Sequence, residues 1–276
     1  MSEKNSSMAV FSAVGGQIME LSLNGHRVIG GYAGQNLLSH VFGHTLAPWP
    51  NRLDGGRYEF RDKNYQVENL DSDQNANHGL LLEREMEILS HRQDALTLQY
   101  SFGDDHAYPF ELDLEVHFEL EEDALVVTST ATNNAGHPIP FALGFHPYFA
   151  LGDQFEIKAD FSFKIEADSR MIPTGETAIA GLAINQDSPD LATLDDCYYG
   201  AGQVVVATNN FEFEINLLEN FDYFMLYRPP TKVFEGSSAM AIEPLSHLTD
   251  VFNSDIASTE IAAGDQKTFR YEIRIR

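Results

Sequence analysis

Four stretches of this 276-residue chain set chemically capable side chains among apolar, glycine or proline residues, where neighbours rather than water hold a side chain. In the first, Ala241-Ile242-Glu243-Pro244, an apolar run ends on a carboxylate. A glutamate in such a setting must be paired, hydrogen-bonded or functional, because an isolated charge away from water is expensive. In the second, Gly144-Phe145-His146-Pro147-Tyr148-Phe149, an imidazole sits among aromatic rings and is followed by a residue whose φ is fixed. Sugars offer apolar CH faces to rings and hydroxyls to a few placed donors and acceptors, so this pocket chemistry suits them, although a satisfied core histidine has the same pattern. In the third, Asn77-His78-Gly79-Leu80, the glycine would let the backbone approach a ligand while the ring projects into it. The fourth, Asn51-Arg52 after Ala47-Pro48-Trp49-Pro50, offers a guanidinium or simply a proline-rich turn. Asp195-Asp196 adds an acidic pair that either supplies a carboxylate or begins a turn.

Other chemistries lack their residues. There is no G-x-S-x-G elbow, H-E-x-x-H pair, P-loop or G-x-G-x-x-G turn in the sequence. His40 and His44 share strand parity and could hold a metal, with an ordinary structural role as the alternative. One cysteine, Cys197, forms no intramolecular disulfide and no cysteine-based zinc site, which points to a reducing, cytoplasmic setting. The residues before Met8 are polar and do not read as a signal peptide, and no apolar run has membrane-spanning length. With 42 Asp and Glu against 17 Lys and Arg, the net charge of -25 repels nucleic acid and anionic membranes and favours a neutral ligand.

The elements that must position these residues are strands, because apolar residues recur at every second position and long helical stripes are absent. Hairpins are predicted for 17–23 with 27–29 across Asn24-Gly25, and for 57–60 with 65–68. Two more pair 85–90 with 95–102 and 111–120 with 124–133. Further strands are expected at 155–165, 203–208, 211–217, 223–227, 239–243 and 268–275, giving an all-β chain best read as one large antiparallel β-sandwich domain spanning residues 1–276.

Taken in order, the segments resemble the aldose 1-epimerase, or galactose mutarotase-like, family. The resemblance rests on Asn51-Arg52 with Gly56-Arg57-Tyr58, His78-Gly79, Ala107-Tyr108-Pro109-Phe110, His146-Pro147-Tyr148-Phe149, Glu243-Pro244 and the C-terminal strand, and so runs from about Met8 to the end. It departs from the family pattern where His-Gly-Gly reads His78-Gly79-Leu80, in a following segment without the familiar tryptophan, and at Asp196, where a histidine often stands.

The resemblance implies a supersandwich with a sugar cleft on one face and interconversion of the α and β anomers of a free hexose. It implies Glu243 as base, His146 as acid, and Arg52, His78 and Asp195, with Asn51, as substrate-binding residues. The only partner expected is a small-molecule monosaccharide, and no cofactor or metal is required. The competing readings are a non-catalytic carbohydrate-binding or regulatory protein, and a glycoside hydrolase or lyase using Asp195 and Glu243 as a carboxylate pair.

Overall fold

The computed structural model describes residues 2–4, 6–30, 41–230, 233 and 238–276. Two large antiparallel sheets dominate them. The larger has twelve strands, and its main path runs Ser2–Lys4, Ser7–Ser12, Gln17–Leu23, His26–Ile29, Tyr148–Ala150, Ala239–Leu245, Tyr223–Tyr227, Asp195–Tyr199, Phe163–Ala167, Pro173–Ala178. Gly144–Phe145 and Thr45–Leu46 join it off this path. The second has nine strands, in the order Glu87–His91, Ala95–Phe102, Leu112–Leu120, Ala124–Asn133, Gln266–Ile275, Glu212–Glu219, Gln203–Thr208, Phe155–Ala159, Leu182–Asn185.

Alternation drives both sheets. Leu112–Leu120 buries its leucines, Val116 and Phe118 while the intervening polar residues face outward, which is the two-residue period of a strand with one wet face. The buried faces meet between the sheets: Phe149 stacks on Phe213 with ring centroids 5.2 Å apart, and Phe145 packs on Tyr271 at 5.0 Å. Fully burying one such ring contributes about 1.5–3 kcal/mol, an upper bound because an unfolded chain already hides part of it.

The hairpin across Asn24-Gly25 forms as expected, with both residues at positive φ (49° and 79°) and Leu23 facing His26. Other expectations shift. The strand expected at 65–68 is Lys63–Gln66, because Arg61 and Asp62 both adopt left-handed φ and close a two-residue turn that lacks glycine. The strand expected at 85–90 is Glu87–His91, an exposed edge with an irregular register between Ile88 and Ser90. The single strand expected over 155–165 is two strands in different sheets. Its alternation continues through the break, but Phe161 turns into the core and stacks on Tyr198 at 5.0 Å, carrying the chain from one sheet to the other. Asp195–Tyr199, for which a turn was one reading, is an interior strand of the larger sheet. Among the described residues no helix is long and apolar enough to cross a membrane.

Candidate active site

The outer face of the larger sheet collects the polar residues of interest, and strand register explains how. Tyr148 pairs with Ala241 and Gly144 with Leu245, so His146 and Glu243, two residues from each pair, stand opposite one another. Glu243 pairs in turn with Met225, and Met225 with Cys197; one row along, Ala241 pairs with Tyr227 and Tyr227 with Asp195. Because side chains alternate, Glu243, Met225, Cys197, Tyr227, Asp195 and Tyr148 share one face. Phe224, Leu226, Met240 and Ile242, on the other face, belong to the core.

His146 Nε2 lies 3.2 Å from Glu243 Oε1, and the two side chains are only 5% and 2% exposed. The histidine backbone is clamped by the 41–46 segment: its N–H donates to the His44 carbonyl at 3.0 Å and its carbonyl accepts from Gly43 N–H at 2.9 Å. Gly43 has φ +69°, and a Cβ there would lie 2.1 Å from the Ile18 carbonyl oxygen, so only glycine fits.

Arg52 and His78 come from a two-stranded ribbon, Arg52–Leu53 with Ala76–Asn77, that covers this face. The Arg52 guanidinium reaches the sheet and donates from Nη2 to Asp195 Oδ2 at 3.4 Å. Asn51 stands behind it: its Oδ1 accepts from the Arg52 backbone N–H at 2.8 Å and from Nη1 at 3.2 Å. Asn51 itself is buried, with φ 54°. His78, also at positive φ (63°), donates its backbone N–H to the Asn51 carbonyl at 2.8 Å and packs edge-on against His146, ring centroids 5.3 Å apart. The structure therefore brings together every sequence-identified site residue, with Asn51 placed against Arg52.

Electrostatics divide these groups. Burial, and next the Asp195 charge, hold the Glu243 carboxyl well above the usual carboxylate range, while Arg52 pulls the other way. Burial also raises Asp195, against the bond from Arg52. Burial, then His146 and Arg52, push His78 well below the usual imidazole range and keep it neutral. Among the described residues, Glu243 Oε2, Arg52 Nε and His78 Nδ1 are buried without a hydrogen-bond partner in the protein. Unsatisfied buried polar atoms are rare and costly, and three in one cluster are what a ligand-binding site requires.

The residues of this site fall on the family's motifs, and the sequence profile of the aldose 1-epimerase family matches residues 1–274. The chain belongs to the aldose 1-epimerase family. Among relatives, it is 26% identical over 261 residues to the uncharacterized protein YihR of Escherichia coli strain K12, covering 90% of this chain and 83% of that one. Among solved structures, it resembles the GalM/aldose epimerase homologue of C. elegans, with a TM-score of 0.84 at 15% identity over 100% of this chain and 97% of the other. Galactose 1-epimerase from Lactobacillus acidophilus NCFM gives a TM-score of 0.78 at 14% identity, covering 100% and 92%. At these identities the structures establish a shared galactose mutarotase-like fold.

Two departures from the family pattern have a visible structural setting. Asp196 points away from Glu243, to the face of Tyr198, where it pairs with Lys164 Nζ at 3.0 Å and accepts from the Tyr198 hydroxyl at 3.3 Å. The 80–84 segment leaves the ribbon through Leu80, whose N–H donates to the Ala47 carbonyl at 2.7 Å. His44 is buried against Gln17, and its Nε2 lies 3.2 Å from the Leu82 carbonyl; His40 lies outside the described residues. Sequence reasoning missed Met225 and Tyr227 on the floor of the site and Phe42, which stacks on Tyr148 at 5.7 Å. The first two were legible in principle, since Tyr223–Tyr227 alternates, but only pairing shows that the alternation faces Glu243.

Proposed function

We propose that this member of the family is an aldose 1-epimerase that interconverts the anomers of a free hexose, with Glu243 as base and His146 as acid. The observation that carries this reading is the buried 3.2 Å approach of His146 Nε2 to Glu243 Oε1. Mutarotation moves a proton from the anomeric hydroxyl and delivers one to the ring oxygen, and both oxygens are bonded to C1. Acid and base must therefore lie within about a hydrogen-bond length of each other, near 3 Å.

In the forward step Glu243 accepts the O1 proton and the O–H electron pair becomes the C1–O1 π bond. The C1–O5 pair moves onto O5, which takes the proton from His146. The open aldehyde turns about C1–C2 and recloses on its other face, with each proton returning along the same path. Burial strengthens Glu243 as a base by raising its proton affinity. His78, held neutral, would bind hydroxyls rather than donate the proton to O5. Arg52 and Asp195 form a donor–acceptor pair for neighbouring hydroxyls, with Asn51 positioning the guanidinium. Tyr148 and Tyr227 supply ring faces beside the acid. No step needs a metal or cofactor.

The test is the optical rotation of freshly dissolved α-glucose and α-galactose with the protein and with Glu243→Gln. Acceleration that disappears in the variant supports both the reaction and the base. Sugar binding without acceleration would instead identify a binding protein on this fold.

A further inference from the structure

The hairpin of Phe163–Ala167 and Pro173–Ala178 ends in a tip, residues 168–172, with its own rigid turn. There Asp168 Oδ1 accepts from the N–H groups of Arg170 at 2.8 Å and Ile172 at 3.0 Å. From this tip Arg170 reaches loops that are distant in sequence. Its Nη2 donates to Asp54 Oδ1 and Asn75 Oδ1, each at 2.6 Å, and its Nε donates to the Asp73 carbonyl at 3.0 Å. Asn75 Nδ2 donates back to the Arg170 carbonyl at 2.9 Å. Asp54 directly follows Arg52–Leu53, and Asn75 directly precedes Ala76–Asn77 and His78. One guanidinium thus ties the hairpin tip to both strands of the ribbon that presents Arg52 and His78.

The tip also lies in a definite direction from the acid–base pair. Phe163 pairs with Tyr199 and Lys164 with Tyr198, so the hairpin advances toward the Asp195 end of its neighbour. From the Glu243 strand the sheet order is Tyr223–Tyr227, Asp195–Tyr199, then Phe163–Ala167. At about 4.8 Å per strand, Asp195 lies about 10 Å across the sheet from the Glu243 strand, and the hairpin about 14 Å. A pyranose with C1 and its ring oxygen at Glu243 and His146 would extend toward Asp195 and Arg52. The strap then occupies the ground beyond its far hydroxyls.

We propose that residues 168–172, pinned by Arg170, close the cleft one sugar ring from the acid–base pair and select free monosaccharides over reducing sugars carrying a second ring at O4. This rests on the sugar-binding reading of the site. Arg170 is a positioning and specificity-determining residue in this scheme; its planar fork holds two acceptors at once, which a lysine ammonium does less well. Its ion pair with Asp54 is 39% and 37% exposed, so it contributes little to global stability and its loss should loosen the strap without unfolding the sheet.

The experiment compares glucose with maltose, by NMR anomer exchange for turnover and by ligand-observed saturation transfer for binding, in wild type, Arg170→Ala and Arg170→Lys. Wild type is expected to favour glucose over maltose by ~10-fold or more in kcat/KM, Arg170→Ala to shrink that ratio, and Arg170→Lys to fall between. A purely structural role would lower both sugars in parallel and leave the ratio unmoved, which overturns the proposal, as does a wild type that treats the two alike. If no sugar exchanges faster, the epimerase reading fails while the strap is still decided by binding. A preference for glucose that Arg170→Ala narrows sustains it; equal binding of both, or of neither, overturns it.

Discussion

His146 and Glu243 are cross-strand partners. The pairs Gly144 with Leu245 and Tyr148 with Ala241 bracket them, and the same register sets the imidazole opposite the carboxylate at 3.2 Å. A relationship fixed by a sheet ladder is stiff, since moving either residue means breaking hydrogen bonds on both sides. A general acid and base acting on two atoms of one carbon need this stiffness.

The two histidines should separate by kinetic parameter. His146→Asn is expected to lower kcat by about 10²–10⁴-fold, the usual contribution of one positioned acid. His78→Asn, in contrast, should raise KM with a much smaller effect on kcat, because a neutral His78 binds rather than protonates. Saturation kinetics by NMR anomer exchange decides; equal kcat losses in both variants would reject the assignment of roles.

The rate should fall on acidification at a higher pH than an ordinary glutamate would dictate. Glu243 must be ionised to act as base, and burial with the Asp195 charge lifts its pKa well above 4.5. The acid limb of kcat/KM should therefore have its midpoint above that value. In Asp195→Asn the midpoint should move down, since the variant removes a raising charge and frees Arg52 to favour the carboxylate. An unmoved midpoint would show that Asp195 does not sense Glu243.

Gly79→Ala should cost both stability and affinity. Gly79 has φ +75°, and an added Cβ would lie 2.1 Å from the Ala47 carbonyl oxygen, a backbone atom that cannot step aside. Strain at a left-handed position costs about 1–3 kcal/mol, and the clash would displace the adjoining His78. A lowered Tm with raised KM is expected; native values for both would mean that the ribbon has room the structure does not show.

Acid stability should depend on His44. Its buried imidazole, with pKa lowered from 6.5 to about 4, stays neutral in the fold while the unfolded chain takes up a proton. The stability this provides is complete above about pH 6.5 and is lost as pH falls toward 4. The loss amounts to about 3 kcal/mol at full extent. His44→Gln should flatten the Tm profile between pH 6.5 and 4 relative to wild type, whatever its effect at pH 7. An unchanged slope would mean that His44 is protonated in the folded state.

Within the site, individual residues differed in how far the sequence revealed them. Glu243 and His146 stood out because a charge or an imidazole inside an apolar run demands a partner, although nothing in the sequence said that each was the other's. Asp195 was ambiguous because an acidic pair reads equally as a turn; its strand has short, mixed alternation and is recognisable only between two neighbours. Arg170 gave no signal, since a lone arginine between two short strands looks like any solvated loop residue, and its acceptors lie about a hundred positions away.

By itself the sequence determined the β class, most hairpins and the identity of the polar residues that apolar surroundings must satisfy, because alternation, turn chemistry and desolvation are local properties. Tertiary structure decided what faces what. It split the 155–165 run between two sheets, since an apolar ring in the core looks the same in sequence whichever sheet it leaves or joins. It placed His146 opposite Glu243, and it stretched Arg170 over the ribbon that holds Arg52 and His78. Those contacts depend on long-range register and on which loops fold over one face, quantities that no stretch of neighbouring residues encodes.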